Sequence, residues 1–404
     1  MLILAQNPQF RRFWLGGVFN DVGVMMYFMV HGWLMFSITK SAFWVGAAAG
    51  INGLAMIAFG VFGGVLADRI DRRKLLASGQ LVQALVALAL AAVVFADRVE
   101  MWHVLLVAFI DGSAMTVKVP ARFALTLDLV GRGRVLSATA AGWMSMTAMA
   151  VVVPLVGGAV INAFDIAWAY VIMAGAYLVA AAAVMSVGRV DVTKRGVASP
   201  WRDLTEGVRY AFKTPVVRTL IVAVIVTEVF GWAHESMLPV MVGEVLGAGA
   251  LGLGYLLAAG GAGATVALLA LTALGDVGNK GRLVVIGAGG FGLFLVLFAF
   301  SPWLPLSMVL LALAYAVMML FEPAVTTLLQ TTVPDDMRGR VLSFQTMSWG
   351  LTGVSGFHTG AIAGALGAPV AIAIGGGIVA LNALRMATRT RDYQERPAEA
   401  VPEG

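Results

Sequence analysis

The sequence predicts an all-α membrane protein of twelve transmembrane helices, arranged as two six-helix bundles related by a pseudo-two-fold axis. Three observations predict it. The chain has 404 residues, 60% of them hydrophobic and only 12% charged, about half the charge of an ordinary soluble domain, and its mean hydropathy is +0.90. The apolar residues gather into uninterrupted runs of about 20 or more, the length a helix needs to cross a bilayer core. Segments of the first half also recur in the second half at a nearly constant offset.

The runs do not alternate with period two, so helices are expected rather than a closed barrel, the other way to satisfy a backbone in lipid. The expected spans are 13–37, 43–67, 75–96, 101–121, 137–163, 167–187, 216–242, 250–274, 283–301, 304–328, 343–366 and 370–388. The first follows Arg11 and Arg12 and is too long for the apolar region of a cleavable leader, so it is expected to remain. Between the second and third spans lies GVLADRIDRRKLL, residues 64–76, in which Asp68, Arg69, Asp71, Arg72, Arg73 and Lys74 are charged. Such a run reads as a tight solvated turn. After the sixth span, Ser199 and Pro200 suit the start of a helix. Trp201, Leu204 and Val208 against Arg202, Asp203 and Glu206 give that helix two faces, as in one lying at the membrane surface. Every other gap carries charge, Pro or Gly.

With the N-terminus inside, only Lys40 and Arg98 of the 27 Lys and Arg fall on outer loops. This is the asymmetry of the positive-inside rule. It places both termini on the cytoplasmic side of a cytoplasmic (inner) membrane and explains the net charge of +5 without a nucleic-acid partner. The chain has no Cys, hence no disulfide or thiolate metal site, and no metal or cofactor is expected. GAGGFG at 287–292 fits G-x-G-x-x-G but lies within a span with no strand before it, so it reads as helix packing rather than a dinucleotide loop. GAAAG at 46–50 and the series Gly356, Gly360, Gly364 read the same way. No phosphate-binding G-x-x-x-x-G-K-[ST] occurs, so transport would draw on a gradient, with the proton gradient as the expected source.

The repeat is specific. PARFALTLDLVGRGRVLS starts at Pro120 and PAVTTLLQTTVPDDMRGRVLS at Pro323; both end in Gly-Arg-Val-Leu-Ser, at 133–137 and 339–343. VLADRIDRR at 65–73 has a weaker echo in ALGDVGNKGR at 273–282. Matching loops at one offset imply a parallel duplication about an axis along the membrane normal. The expected division is residues 1–188 for one bundle, 189–215 for the linker and 216–404 for the second bundle with a short tail.

The loop 64–76 resembles the signature G-x-L-a-D-r-x-G-r-k between helices two and three of the major facilitator superfamily. Gly64, Leu66, Asp68, Arg69, Arg72 and Arg73 match, and Asp71 stands where the pattern has Gly. The DR-x-DRR form and PARFALTLDLV resemble the bacterial twelve-helix drug and siderophore (enterobactin-type) exporters. The resemblance implies a cytoplasmic gate in which Asp68 and the arginines meet the start of helix eleven, near Leu342 and Ser343. In span five, VVVPLVGGAV resembles the exporter pattern G-x-x-x-G-P-x-x-G-G. Pro154, Gly157 and Gly158 are present, with Met149 and Val153 in place of two glycines, so a kinked and tightly packed helix is expected. The buried Arg of many drug–proton antiporters in span four is replaced by Ala108.

The ionisable residues inside spans are Asp21, His31, Asp111, Glu228, His234, Glu235, Glu322 and His358. A charge at the bilayer centre costs at least about 2.5–3.5 kcal/mol, so such residues should face protein or a wet cavity. All but His358 fall on spans one, four, seven and ten, which line the central cavity in the family the chain resembles. Asp21 and Glu228 are deepest; Glu235 and Glu322 lie nearer span ends. Asp111, Met115 and Lys118 share a face, so Lys118 is expected to be neutralised locally. His31 and His234 titrate near neutrality if hydrated and otherwise serve packing. The three methionines Met25, Met26 and Met29 offer either an adaptable binding wall or plain packing.

The expected function is therefore not catalysis but secondary active transport by alternating access, as a monomeric proton-coupled exporter of small amphipathic molecules. A metabolite importer or uniporter of the same fold, and a non-transporting membrane sensor or assembly partner, are the rival expectations.

Overall fold

A computed structural model describes residues 4, 6–188, 206, 209–274 and 278–388, with side chains throughout these except at 61–65, 67, 68, 132, 136, 274, 335, 336, 338–340, 342–347 and 349. The described residues are helical with no strand. The long helices are α1 (Pro8–Thr39), α2 (Ala42–Arg69), α3 (Arg72–Phe95), α4 (Met101–Val130), α5 (Val135–Ala163), α6 (Ile166–Met185), α7 (Pro215–Val245), α8 (Gly249–Leu274), α9 (Lys280–Ala299), α10 (Leu304–Thr332), α11 (Asp335–Leu366) and α12 (Ala368–Ala387). Over the described residues, eleven are long and apolar enough to cross a membrane, and α11 is not among the eleven. The count of twelve crossings is thus matched in helices but not in this measure. The surface helix expected from Ser199 falls mostly outside the described residues.

The sequence ends these helices with local chemistry. Asn7 accepts the Phe10 amide ahead of Pro8, Asp165 accepts the Ala167 amide, and Asn279 accepts the Arg282 amide. Each supplies a partner to an otherwise orphaned first-turn N–H. Gly367 ends α11 with φ 90°, backbone that glycine adopts without a Cβ penalty.

Two helices depart from expectation. Span four was expected to end at residue 121, directly after Pro120, yet α4 continues to Val130 with Pro120 inside it. Proline deletes only one backbone donor, and neighbouring helices tolerate it in a membrane bundle. PARFALTLDLV is therefore the last turns of α4 rather than a loop. Span seven is not one regular helix either. It is α-helical at Pro215–Val226 and His234–Val240 and π-helical at Thr227–Gly231 and Met241–Val245.

Helices of the first half pack on one another, chiefly α2 on α4, α3 on α6 and α1 on α6; in the second half α9 packs on α10 and α12, and α8 on α10. The halves meet along two seams, α2 against α11 and α5 against α8. Glycine makes both seams possible. A Cβ on Gly353 would lie 2.5 Å from the Gly53 Cα, and one on Gly46 would lie 2.8 Å from the Gly360 Cα. A Cβ on Gly158 would lie 2.9 Å from the Ala250 carbonyl oxygen and one on Gly261 2.8 Å from that of Ala150. Backbone thus meets backbone, as small residues permit in membranes. These positions lie in the first half of α2 and α8 and the last half of α5 and α11, so both seams tighten at one end of the molecule, opposite the 70–71 turn. Helix α5 runs unbroken through Pro154. Gly157 faces the Met26 and Met29 sulfurs, and Gly158 faces α8, so the expected close packing is present.

Candidate substrate and coupling site

Asp21 is 3% exposed on α1 and has a partner that the expected span boundary hid. With α4 extended past Pro120, Arg122 falls one turn beyond Lys118 on the same helix face. Its Nη1 donates to Asp21 Oδ1 at 2.7 Å and its Nη2 to Asp21 Oδ2 at 3.2 Å, the two-pronged geometry that suits a guanidinium. Ser145 of α5 donates to Asp21 Oδ2 at 3.0 Å. Gly17 of α1 leaves room for the guanidinium, since a Cβ there would lie 3.2 Å from Arg122 Nη2. The Arg expected from antiporter patterns at position 108 is absent, and another Arg on the same helix reaches the α1 acid instead.

A second polar cluster adjoins this pair inside the first half. Lys118 is 4% exposed. Its Nζ donates to Asn20 Oδ1 at 2.9 Å and to Gln83 Oε1, and sits 4.9 Å over the Tyr177 ring. Gln83 Nε2 donates to Asp111 Oδ1 at 2.5 Å, and Asn52 Nδ2 donates to Asp111 Oδ2 at 3.3 Å and to the Tyr27 hydroxyl at 3.1 Å. Asn20 Nδ2 reaches Asp21 Oδ1 at 3.5 Å. A continuous polar chain therefore runs from Arg122 through Asp21, Asn20, Lys118 and Gln83 to Asp111 and Asn52. Lys118 does not touch Asp111 as the shared face suggested; the Gln83 amide stands between them, accepting from Lys118 and donating to Asp111. Gln80 Nε2 joins the chain by donating to Asn20 Oδ1 at 3.4 Å, and these amides, Asn20, Asn52, Gln80 and Gln83, are what a search for charged residues passes over. Gln80 and Gln83 are three apart in an otherwise apolar run, and that spacing was the available signal.

The second half is built differently. Glu228, 4% exposed, lies in the first π-turn of α7 and accepts a hydrogen bond from Thr352 of α11. Glu235 is half-buried and accepts from the Tyr315 hydroxyl of α10 at 2.5 Å. Glu322 is half-buried on α10. Glu228 and Glu235 lie on α7 and Glu322 on α10, with Glu235 and Glu322 within electrostatic range of Glu228. Around them Trp232, His234, Phe291 and Tyr315 form an aromatic cluster, with Trp232 and Tyr315 centroids 5.1 Å apart, edge to face. No Lys or Arg occurs at positions 219–279, 283–337 or 341–384. Glu228 and Glu235 have only hydroxyl partners among the described residues, where Asp21 and Asp111 of the first half also have a guanidinium or amides.

The histidines bond to groups other than the acids. His31 stacks on Tyr27 at 4.7 Å and meets the Tyr170 hydroxyl at 3.2 Å, while His234 Nδ1 meets the Gly231 carbonyl at 2.7 Å. Both are buried packing residues. His358 lies edge to face with Phe230.

At the turn between α2 and α3, Asp71 caps α3 by accepting the Arg73 amide at 3.0 Å and the Arg73 guanidinium at 2.7 Å. The hydrogen bond from Arg73 holds the Asp71 carboxyl below the usual carboxylate range, outweighing partial burial. Arg73 Nη1 also donates to the Val187 carbonyl at 2.6 Å, and Arg72 pairs with Asp128 at the end of α4. These arginines thus tie the turn to α4 and α6 of their own half. Arg69 is exposed at the end of α2. Gly64, Asp68 and the expected meeting with Leu342 and Ser343 lie outside the described side chains.

Comparison with known proteins agrees with this architecture. Residues 4–401 match the family described as transmembrane secretion effectors. The enterobactin exporter EntS of Shigella flexneri is 26% identical over 409 residues, covering 99% of this chain and 96% of that protein. EntS of Escherichia coli K12 is likewise 26% identical over 410 residues, covering 99% and 96%. The solved nucleoside transporter NupG superposes with a TM-score of 0.78 at 13% identity, covering 95% of this chain and 99% of that one. An inward-facing, unoccupied bacterial homolog of the human lysosomal transporter Spinster gives 0.71 at 14%, covering 96% and 95%. The fold and relatives are those of major facilitator transporters and not of enzymes, and the chain is a multi-pass membrane protein.

Proposed function

Since this chain belongs to the transmembrane secretion effector family, we propose that it is a proton-coupled exporter of small amphipathic molecules working by alternating access. The observation that carries the proposal is the contrast between the halves. A carboxyl within a membrane and without a cationic partner is costly and marks an ion or substrate path. Glu228 and Glu235 on α7 and Glu322 on α10 lie in stretches of the second half, 219–279 and 283–337, that hold no Lys or Arg. Faced by the Thr352 and Tyr315 hydroxyls, such carboxyls can take up and release a proton, or exchange it for a cationic group of the cargo, with no ion pair to break. The neighbouring aromatic rings suit an amphipathic cation. Asp21 and Arg122 are the second coupling element, because a proton on Asp21 would free the guanidinium. The enterobactin-exporting relatives favour export over import. The bias of Lys and Arg favours an inner-membrane topology with both termini cytoplasmic.

The test is efflux of a labelled panel of amphipathic compounds from proteoliposomes under an imposed pH gradient. Glu228→Gln keeps a hydrogen-bonding partner for Thr352 but cannot carry a proton. It should lose gradient-driven flux at least tenfold while retaining exchange of cargo across the membrane. Undiminished gradient-driven flux in Glu228→Gln, Glu235→Gln and Glu322→Gln together overturns the coupling. Accumulation only in the importing direction, compared in vesicles of both orientations, overturns export.

A further inference from the structure

We propose that Arg218 and Arg385 form a binding site for the phosphate of an anionic phospholipid at the basic end of the molecule. This inference does not rest on the transport reading. Arg218 lies in the first turn of α7 and Arg385 in the last turn of α12, and these two helices pack together. Both arginines are exposed, and with Thr219 and Val222 they line an open surface pocket of about 290 Å³. That is below the size of typical drug-binding pockets and ample for a phosphodiester.

The electrostatics call for an anion. Neither arginine forms an ion pair among the described residues. No acidic residue occurs between Glu206 and Glu228, or between Asp336 and Asp392. Arg209 and Lys213, both exposed, add positive charge on the approach to α7. Arg218 also sits in the first turn of α7, where the helix dipole favours a negative ligand. The Thr219 hydroxyl is occupied by the Pro215 carbonyl at 3.0 Å, which leaves the two guanidiniums as the side-chain donors.

The surroundings identify the anion as a lipid headgroup. On α12, Leu381 is 66% and Leu384 63% exposed, an apolar flank directly beside Arg385 along which acyl chains can lie. A basic pocket between helices at the cytoplasmic end of a membrane protein is where an anionic headgroup is delivered by the bilayer itself, each Lys or Arg adding to the attraction. Guanidiniums from two helices can also grip two phosphate oxygens at fixed spacing. A lipid bound there would bridge the first and last helices of the second half.

The test compares the wild-type chain with Arg218→Gln/Arg385→Gln in nanodiscs of phosphatidylcholine containing increasing phosphatidylglycerol. Retained lipid is read by native mass spectrometry and thermal stability by unfolding in the same discs. The wild type should retain phosphatidylglycerol in preference to phosphatidylcholine, and the double variant should bind it roughly tenfold or more weakly, the effect of two interfacial charges. Should that variant fail to fold, Arg218→Lys/Arg385→Lys keeps the charge without the two-pronged grip and should show an intermediate loss. Equal retention of phosphatidylglycerol by all three proteins overturns the proposal. So does equal stabilisation by inorganic phosphate in discs of phosphatidylcholine alone, which would make the ligand a soluble anion.

Discussion

Arg122 carries more of the site than its place in the sequence suggests. Pro120 reads as the end of a span, which puts Arg122 in a loop; once α4 passes through Pro120, the same arginine faces Asp21. Asp21 itself was legible as an acid deep in an apolar run, because such a residue must find a partner. Its partner was not, because helix continuation past a proline is decided by neighbouring helices. Asp21 is buried while the Arg122 side chain is 32% exposed, so removing Arg122 strands a buried carboxylate and should cost more than removing Asp21, both below the roughly 3–5 kcal/mol of a fully buried pair. Arg122→Gln and Asp21→Asn should each lower the unfolding temperature and abolish coupled efflux. The double variant, which buries no lone charge, should recover much of the stability and none of the coupling. Additive losses of stability in the double variant would show that the two residues do not act as a pair. Asp71 is simpler. Asp71→Ala should cost about 1 kcal/mol through loss of the α3 cap. The carboxyl is depressed in the folded chain by Arg73, so its contribution is present at neutral pH and fades as pH falls through that lowered value. Asp71→Asn, which still caps, should remove this acid-dependent part in thermal unfolding followed from neutral to acidic pH.

At the scale of elements, the long apolar runs left little freedom, and eleven of the expected spans fall on helices able to cross a membrane. What the runs conceal is irregularity within them. The π-turn Thr227–Gly231 holds Glu228, and a local pattern of apolar residues does not report it, since an apolar helix is apolar on every face. Seven-residue spacing alone would put Glu228 and Glu235 on one stripe. A π-turn inserts a residue into that stripe and commonly marks a functional position. The turn therefore sets how Glu228 meets Thr352 while Glu235 meets Tyr315. Deleting Val229 removes the extra residue, so the segment should become regular α-helix with Glu235 in nearly its present direction relative to Glu228, whereas adding an alanine between Ala233 and His234 should turn Glu235 by about 100°. Both variants should insert into membranes, and the insertion should lose coupled efflux while the deletion keeps it. Wild-type flux in the insertion variant would mean that the relative direction of the two acids does not matter.

For the molecule as a whole, the duplicated PA…GRVLS segments made the two-bundle plan legible, whereas the state of the bundles is a property only of the folded chain. The seams α2–α11 and α5–α8 both tighten at the end opposite the 70–71 turn. In the topology proposed from the charge bias this is the outer end, and the proposed cycle would then start from an arrangement closed to the outside. Alternating access requires these glycine seams to part in every cycle. The chain has no cysteine, so a designed pair reports on this directly. A Cβ on Gly356 would lie 3.0 Å from the Ala49 Cβ, near enough for a disulfide after slight relaxation. Ala49→Cys/Gly356→Cys, oxidised in membranes, should cross-link and stop efflux, and reduction should restore it. A cross-linked protein that still transports at the reduced rate would mean the outer seams never separate, and the molecule would have to move its cargo by a route other than rocking of two bundles about a shared site.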